Sequence, residues 1–276
     1  MKTLRPLIAL LLSVLIISPV LAQELDPCTQ TDKLNRTAEG VELFTSNSRG
    51  NKPLGETPCG YEMWTQGGNN NNLLWFGPDQ GGGAAFRTEW YQPNDYLGRV
   101  GYFMNEGKPY TEYKNIYVDY NYTRSPNGTA GGYSYIGVYG WTKNPQIEWY
   151  IVEDWYGQGI LSSLRILGTY KGDFVTSDGV LYKIYRNERP PGSGNILGDG
   201  KGFPQYFSVR QRANEAPDAP MCGSVAITEH FKQWDTIENM KMGTDLYEAK
   251  FLIEAGGGTG WFEANYVRFS MEDKPR

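Results

Sequence analysis

The sequence predicts an all-β fold, a β-sandwich or jelly roll of antiparallel strands carrying a single short α-helix. Three observations predict it. The chain is rich in aromatic residues (8 Trp, 20 Tyr, 11 Phe) alongside 34 Gly, with few long aliphatic runs. From Gly60 onward, short aromatic and β-branched runs are separated by Gly, Asn and Pro clusters at 69–72, 81–83 and 190–192. Only one segment has helical periodicity: Phe231, Trp234, Ile237 and Met240 recur at three to four residues on one stripe, with Thr228 as the expected cap.

Residues 1–22 carry Lys2 and Arg5, then an apolar core over 7–17, then Pro19, Val20, Leu21 and Ala22 before Gln23. This order of charge, apolar core and small residue reads as a secretory signal peptide cleaved after Ala22, and the apolar stretch is shorter than the ~20 residues a membrane span needs. A secreted, extracellular protein with no membrane partner is expected. Export places Cys28, Cys59 and Cys222 in an oxidising compartment, so at most one disulfide forms and one thiol is left over, with three pairings open. Residues 23–58 are polar, lack apolar periodicity and read as an N-terminal extension. The remainder, 59–276, suits one domain with a sizeable core.

Charge and ligand chemistry narrow the function. A net charge of −5, without clustered Lys or Arg, argues against a nucleic-acid partner. The single histidine, His230, and the lack of a CxxC pair leave too few ligands for a metal centre. Neither metal nor cofactor is expected.

Strand alternation over 133–141 puts Tyr133, Tyr135, Gly137, Tyr139 and Trp141 on one face and Ser134, Ile136, Val138 and Gly140 on the other. Flat rings with hydroxyl or indole handles stack on sugars, and Gly137 leaves room for something bulky, so this face fits a carbohydrate. Ordinary sandwich core competes with that reading, but hydroxyls repeated on one face without apolar partners favour binding. Over 144–155, alternation groups Glu148, Tyr150, Val152 and Asp154, with Ile147, Trp149 and Ile151 opposite. β propensity disfavours a carboxylate in mid-strand, although an exposed glutamate or a salt bridge would account for it. A second such residue, Glu254, ends a strand that enters the glycine-rich turn at 256–258. Cleavage of a glycosidic bond uses two facing carboxyl groups, one ionised and one held protonated. Spacing alone does not bring 148 and 254 together.

These segments resemble glycoside hydrolase family 11, the endo-1,4-β-xylanases. Pro145-Gln146-Ile147-Glu148-Trp149-Tyr150-Ile151-Val152 is similar to the family's nucleophile signature, and Glu254-Ala255-Gly256-Gly257-Gly258-Thr259-Gly260 to its acid/base signature. Tyr61-Glu62-Met63-Trp64, residues 94–101 and 135–141, Phe203-Pro204-Gln205-Tyr206-Phe207, and His230-Phe231-Lys232-Gln233-Trp234 match in the same order. The resemblance implies a β-jelly roll of two curved sheets with a long cleft across the inner sheet, and one helix. It implies Glu148 as nucleophile and Glu254 as acid/base of a retaining hydrolase acting on xylan or xylo-oligosaccharides, as a monomer without a cofactor. It further implies that Trp64, Tyr135, Tyr139, Trp141, Tyr150 and Gln205 contact substrate, together with Arg189 before a mobile thumb hairpin and Ile196 at its tip. That tip, Asn195-Ile196-Leu197-Gly198-Asp199-Gly200, departs from the family's Pro-Ser-Ile-Asp-Gly.

The resemblance carries four further expectations. Ungapped counting back from Trp90 puts the residue beside the acid/base at Gly83, with Asp79 as its replacement. His230 is expected to be buried and hydrogen-bonded, and Cys28 to pair with Cys222. Trp149, where the family usually has Tyr, points away from the cleft by alternation. Two other readings compete: a non-catalytic carbohydrate-binding sandwich, which has no use for either glutamate, and a β-1,4-glucanase on a related jelly roll.

Overall fold

The computed structural model describes residues 26–30, 42–54, 57–76, 83–104, 106–157, 167–211 and 221–276. The expected signal peptide and Asp79 lie outside the described residues. Strands numbered in chain order form two sheets. The inner one has nine: β10 (Thr169–Val175), β11 (Leu181–Arg189), β12 (Phe203–Arg210), β9 (Gln146–Asp154), β8 (Ser134–Lys143), β14 (Leu246–Ala255), β6 (Asp95–Phe103), β3 (Thr57–Gln66) and β2 (Ser48–Leu54), in that spatial order. The outer sheet has six: β1 (Glu42–Phe44), β4 (Asn72–Trp75), β5 (Phe86–Tyr91), β15 (Thr259–Glu272), β7 (Asn115–Arg124) and β13 (Cys222–Ala226). With the helix described next, the two sheets among the described residues make the expected jelly roll.

Among the strands named here, pairing is antiparallel except that β9 and β12 run parallel. The expectation of antiparallel strands fails there because the chain reaches β12 from β9 by way of β10 and β11, not by a hairpin. That pair sets Gln205 opposite Glu148.

The helix α1 spans Ile227–Asp235. Thr228 is not its cap: the capping position is Ala226, without a side-chain bond, and the Thr228 hydroxyl accepts from the Ile116 amide at 2.9 Å, tying helix to β7. Phe231 and Trp234 on its buried stripe meet Trp149 of the inner sheet, with ring centroids 4.8 and 6.4 Å away. Trp149 therefore faces the core, as alternation requires, and its burial contributes about 2–3 kcal/mol. His230 is buried among Phe174, Tyr182 and Trp234. Contrary to expectation, neither ring nitrogen has a hydrogen-bond partner among the described residues, and burial depresses its pKa to about 3.

Two local corrections follow from β-bulges. Register shifts between Ile136 and Gly137, where Gly137 pairs with Val152 and Ile136 with Asp154, leaving Glu153 extra. Asp154 is thereby turned from the Glu148 face into the core, where it accepts from Tyr122 at 2.5 Å. Gly137 has φ of 152°, and an added Cβ would lie 2.2 Å from the Ile151 carbonyl oxygen. It accommodates the neighbouring strand's backbone, not a ligand.

The polar segment 23–58 is not a linker throughout. Within it β1 pairs with β4 and β2 with β3, so it supplies an edge to each sheet, and the boundary expected between 58 and 59 falls inside β3. Edge strands tolerate polar residues, which is why the segment lacked apolar periodicity. Cys28 is disulfide-bonded to Cys222 on β13, the pairing expected from the resemblance, and the Asn121 amide donates to Gln30 O at 2.9 Å beside it. Cys59 is a buried free thiol whose pKa burial pushes up to about 12.

Candidate active site

The concave face of the inner sheet holds a cleft of about 870 Å³. All the residues selected from the sequence line it: Glu148, Glu254, Trp64, Tyr135, Tyr139, Trp141, Tyr150, Arg189, Ile196 and Gln205. They come from six strands and one loop. Because alternate residues of a strand share a face, β8 delivers Tyr135, Tyr139 and Trp141, and β9 delivers Glu148 and Tyr150. β14 delivers Glu254 between β8 and β6, opposite Tyr135 and Leu97.

Glu148 sits in a donor-rich pocket. Its Oε1 accepts from the Tyr139 hydroxyl at 2.7 Å and the Tyr150 hydroxyl at 3.1 Å, and its Oε2 from Gln205 Nε2 at 2.5 Å. Burial raises its pKa, while those three donors and the Arg189 charge oppose the rise. Glu254 has fewer donors: its Oε2 is buried without a partner among the described residues. Burial first, then the charges of Asp95 and Glu148, hold its carboxyl well above the usual range; a Tyr150 hydrogen bond opposes this. Tyr150 therefore acts on both carboxyl groups: its hydroxyl donates to Glu148 at 3.1 Å and opposes the rise at Glu254. Both carboxyls are raised, that of Glu254 well above its ordinary range, so Glu148 is the first of the two to lose its proton.

Aromatic packing fixes this geometry. Tyr150 stacks on Phe207 with centroids 4.7 Å apart at 13°, and meets Tyr139 edge-on at 4.8 Å. Trp141 Nε1 donates to the Tyr139 hydroxyl. Trp64 is 37% exposed on the cleft wall, leaving a ring face free for a sugar. The buried Tyr135 hydroxyl also has no partner among the described residues. Across the cleft, the β11–β12 hairpin brings Arg189, then residues 190–196. Asn195 braces its tip: Nδ2 donates to Asp199 Oδ1 and Lys201 O, and Oδ1 accepts from the Gly198 amide. The Leu197 amide reaches Gln146 Oε1 at 3.1 Å, linking tip to β9.

Gly83 is not the residue beside Glu254. Gly83 bridges Val267 on the outer sheet. Asp95, at the start of β6, lines the cleft instead, and its carboxyl is raised to about 6, chiefly by burial and then by Glu148, against a Tyr133 hydrogen bond. Sequence reading also missed Glu62 and Arg99, which line the cleft near Trp64 and form an ion pair at 2.7 Å; charged residues on a buried strand face carry no pattern signal. Among the described residues, no His, Cys, Asp and Glu cluster could hold a metal.

Comparison with known proteins places these features. The chain is 43% identical over 239 residues to endo-1,4-β-xylanase C of Fibrobacter succinogenes, covering 86% of this chain and 35% of that protein. It is 34% identical over 245 residues to endo-1,4-β-xylanase S20 of Neocallimastix patriciarum, covering 88% of this chain and 66% of that one. It thus spans about a third and about two thirds of those relatives. The crystal structure of wild-type ENZbleach xylanase superposes with a TM-score of 0.76 at 44% identity, over 93% of this chain and 96% of that one. The model of glycosyl hydrolases family 11 matches residues 57–265, the span that holds both sheets' central strands, the helix and both cleft glutamates, and the chain belongs to that family.

Proposed function

We propose that this protein is an endo-1,4-β-xylanase that cleaves internal bonds of xylan with retention of configuration, Glu148 acting as nucleophile and Glu254 as acid/base. The observation that carries this reading is the pair of unlike carboxyl environments joined by Tyr150. Glu148, hydrogen-bonded by three donors, is the group that stays ionised and attacks the anomeric carbon. Glu254, held protonated by burial and by the charges of Asp95 and Glu148, delivers its proton to the leaving glycosidic oxygen as the C–O bond breaks. Bond formation removes the Glu148 charge, so the Glu254 pKa falls and the group can take a proton from water, which then attacks the anomeric carbon and releases Glu148. Retention is the outcome expected when one carboxylate forms a covalent glycosyl intermediate that water then opens from the opposite side. Trp64 and the ring face over 135–141 would stack on sugars either side, with the unpartnered Tyr135 hydroxyl free to meet a sugar hydroxyl.

The test is reducing-sugar release from soluble β-1,4-xylan and from carboxymethyl cellulose, for the unmodified protein and its E148A and E254A variants. Xylan-only activity, lost by at least ~10³-fold in E148A, is expected, with the β anomer formed first by proton NMR. Binding without turnover in the folded, unmodified protein would favour the carbohydrate-binding sandwich instead. Export is part of the same reading: N-terminal sequencing of secreted protein should begin at Gln23.

A further inference from the structure

Four charged side chains cluster at one end of the cleft, Glu62 and Arg99 in its lining and Glu248 and Lys250 outside that lining, separate from the catalytic pair just described. Arg99 on β6 pairs with Glu62 on β3 at 2.7 Å and with Glu248 on β14 at 3.4 Å. Lys250 forms an ion pair with Glu248. Arg99, Glu248 and Lys250 are all at most 3% exposed. Such burial calls for an explanation, because desolvating paired charges seldom adds stability relative to apolar packing. The charges of Lys250 and Arg99 hold Glu248 below its ordinary pKa despite its burial.

The explanation lies in what Arg99 touches. Its guanidinium carbon lies 4.5 Å from the centroid of the Tyr139 ring, and Tyr139 is the residue whose hydroxyl donates to Glu148 Oε1 at 2.7 Å. Tyr139 is held on its other sides by the Trp141 indole N–H, which donates to its hydroxyl, and by the edge of Tyr150. A cation on a phenol ring's face withdraws electron density, which strengthens the O–H as a donor and fixes the ring's plane. The ion pairs to Glu62 and Glu248 hold the guanidinium in place: without them a long side chain would have many rotamers to choose from.

We propose that Arg99 is a positioning residue for the Glu148 nucleophile, acting through Tyr139, and that Glu62, Glu248 and Lys250 form the buried frame that keeps it there. The proposal rests on Glu148 being the nucleophile, which E148A tests separately. If E148A retains activity the functional reading fails, whatever Arg99 does.

The experiment compares R99M, R99K, Y139F and the R99M/Y139F double variant by kcat and KM on xylan across pH, with melting temperatures alongside. In R99M the Tyr139 donor is weakened, so Glu148 ionises less readily: the acid limb of kcat/KM should move up by about half to one pH unit, and kcat should fall about tenfold with KM nearly unchanged. R99K keeps the charge and should keep most of the wild-type acid limb. Adding R99M to Y139F should move the limb no further, because the hydroxyl that transmits the effect is gone. A purely structural Arg99 would lower the melting temperature and activity while leaving the limb fixed, and this result would overturn the proposal. So would an equal shift by R99M with and without the Tyr139 hydroxyl, or an R99K limb displaced as far as that of R99M. Should R99M fail to fold, R99Q supplies the same comparison with a polar head of similar reach.

Discussion

Glu148 and Glu254 are the same amino acid in one cleft, and their donor counts separate them: three hydrogen bonds on one, a buried oxygen without a partner among the described residues on the other. Asp95 adds a second titration, near pH 6. Once ionised it sets a negative charge beside Glu254, raising that group's pKa and making it a poorer proton donor. D95N cannot take up that charge, so its kcat/KM should lose the step near pH 6, as a pH series on xylan would read. Glu254 also bears on stability. Its folded-state pKa lies above its unfolded value, so its contribution is fully present below about pH 4.5 and is lost as pH rises. E254Q should therefore melt higher than the unmodified protein at pH 7, with the gap closing toward pH 4 in calorimetry. At this scale the sequence was informative wherever a signature surrounded a residue. It was silent on Asp95, whose place depends on where the β5–β6 turn sets the chain down, and on Arg99 and Glu62, whose partners come from three separate strands.

Among the elements, the β11–β12 hairpin is where sequence departs from the family pattern, and one side chain supplies the bracing. N195A removes the two bonds to Asp199 and Lys201 and the acceptor for the Gly198 amide. With the tip exposed, the cost should fall on binding: KM up about threefold to tenfold, melting temperature unchanged. The disulfide is the counterpart in the extension. Cys28 and Cys222 are 194 residues apart, and C222S in oxidising conditions should cost about 2–4 kcal/mol in urea unfolding. Strand alternation foretold the faces of β8 and much of β9, because period two survives any tertiary context. It failed at Asp154 since a single extra residue reverses every face beyond it, and no composition marks that residue. The parallel β9–β12 pair was invisible for another reason: pairing between strands separated by two others is fixed by the whole sheet.

For the molecule as a whole, acid stability is set partly by His230. Its pKa of about 3 in the fold lies below the ordinary value of 6.5, so the unfolded chain binds a proton that the native one refuses between those limits. Stability should thus fall by roughly 3–5 kcal/mol as pH drops from 6.5 to 3. H230F should remove that component, visible as a smaller difference between urea midpoints at pH 6.5 and 3.5. The layout of the inner sheet has a consequence for biosynthesis. β14, near the end of the chain, is inserted between β6 and β8, which the ribosome makes more than a hundred residues earlier. Until it arrives, those two strands each present an open edge, and the nascent sheet is two separate halves with unpaired backbone, exposed to mispairing with other chains. The strand that joins the halves also carries Glu254, so completing the sheet and supplying the proton donor are a single late event.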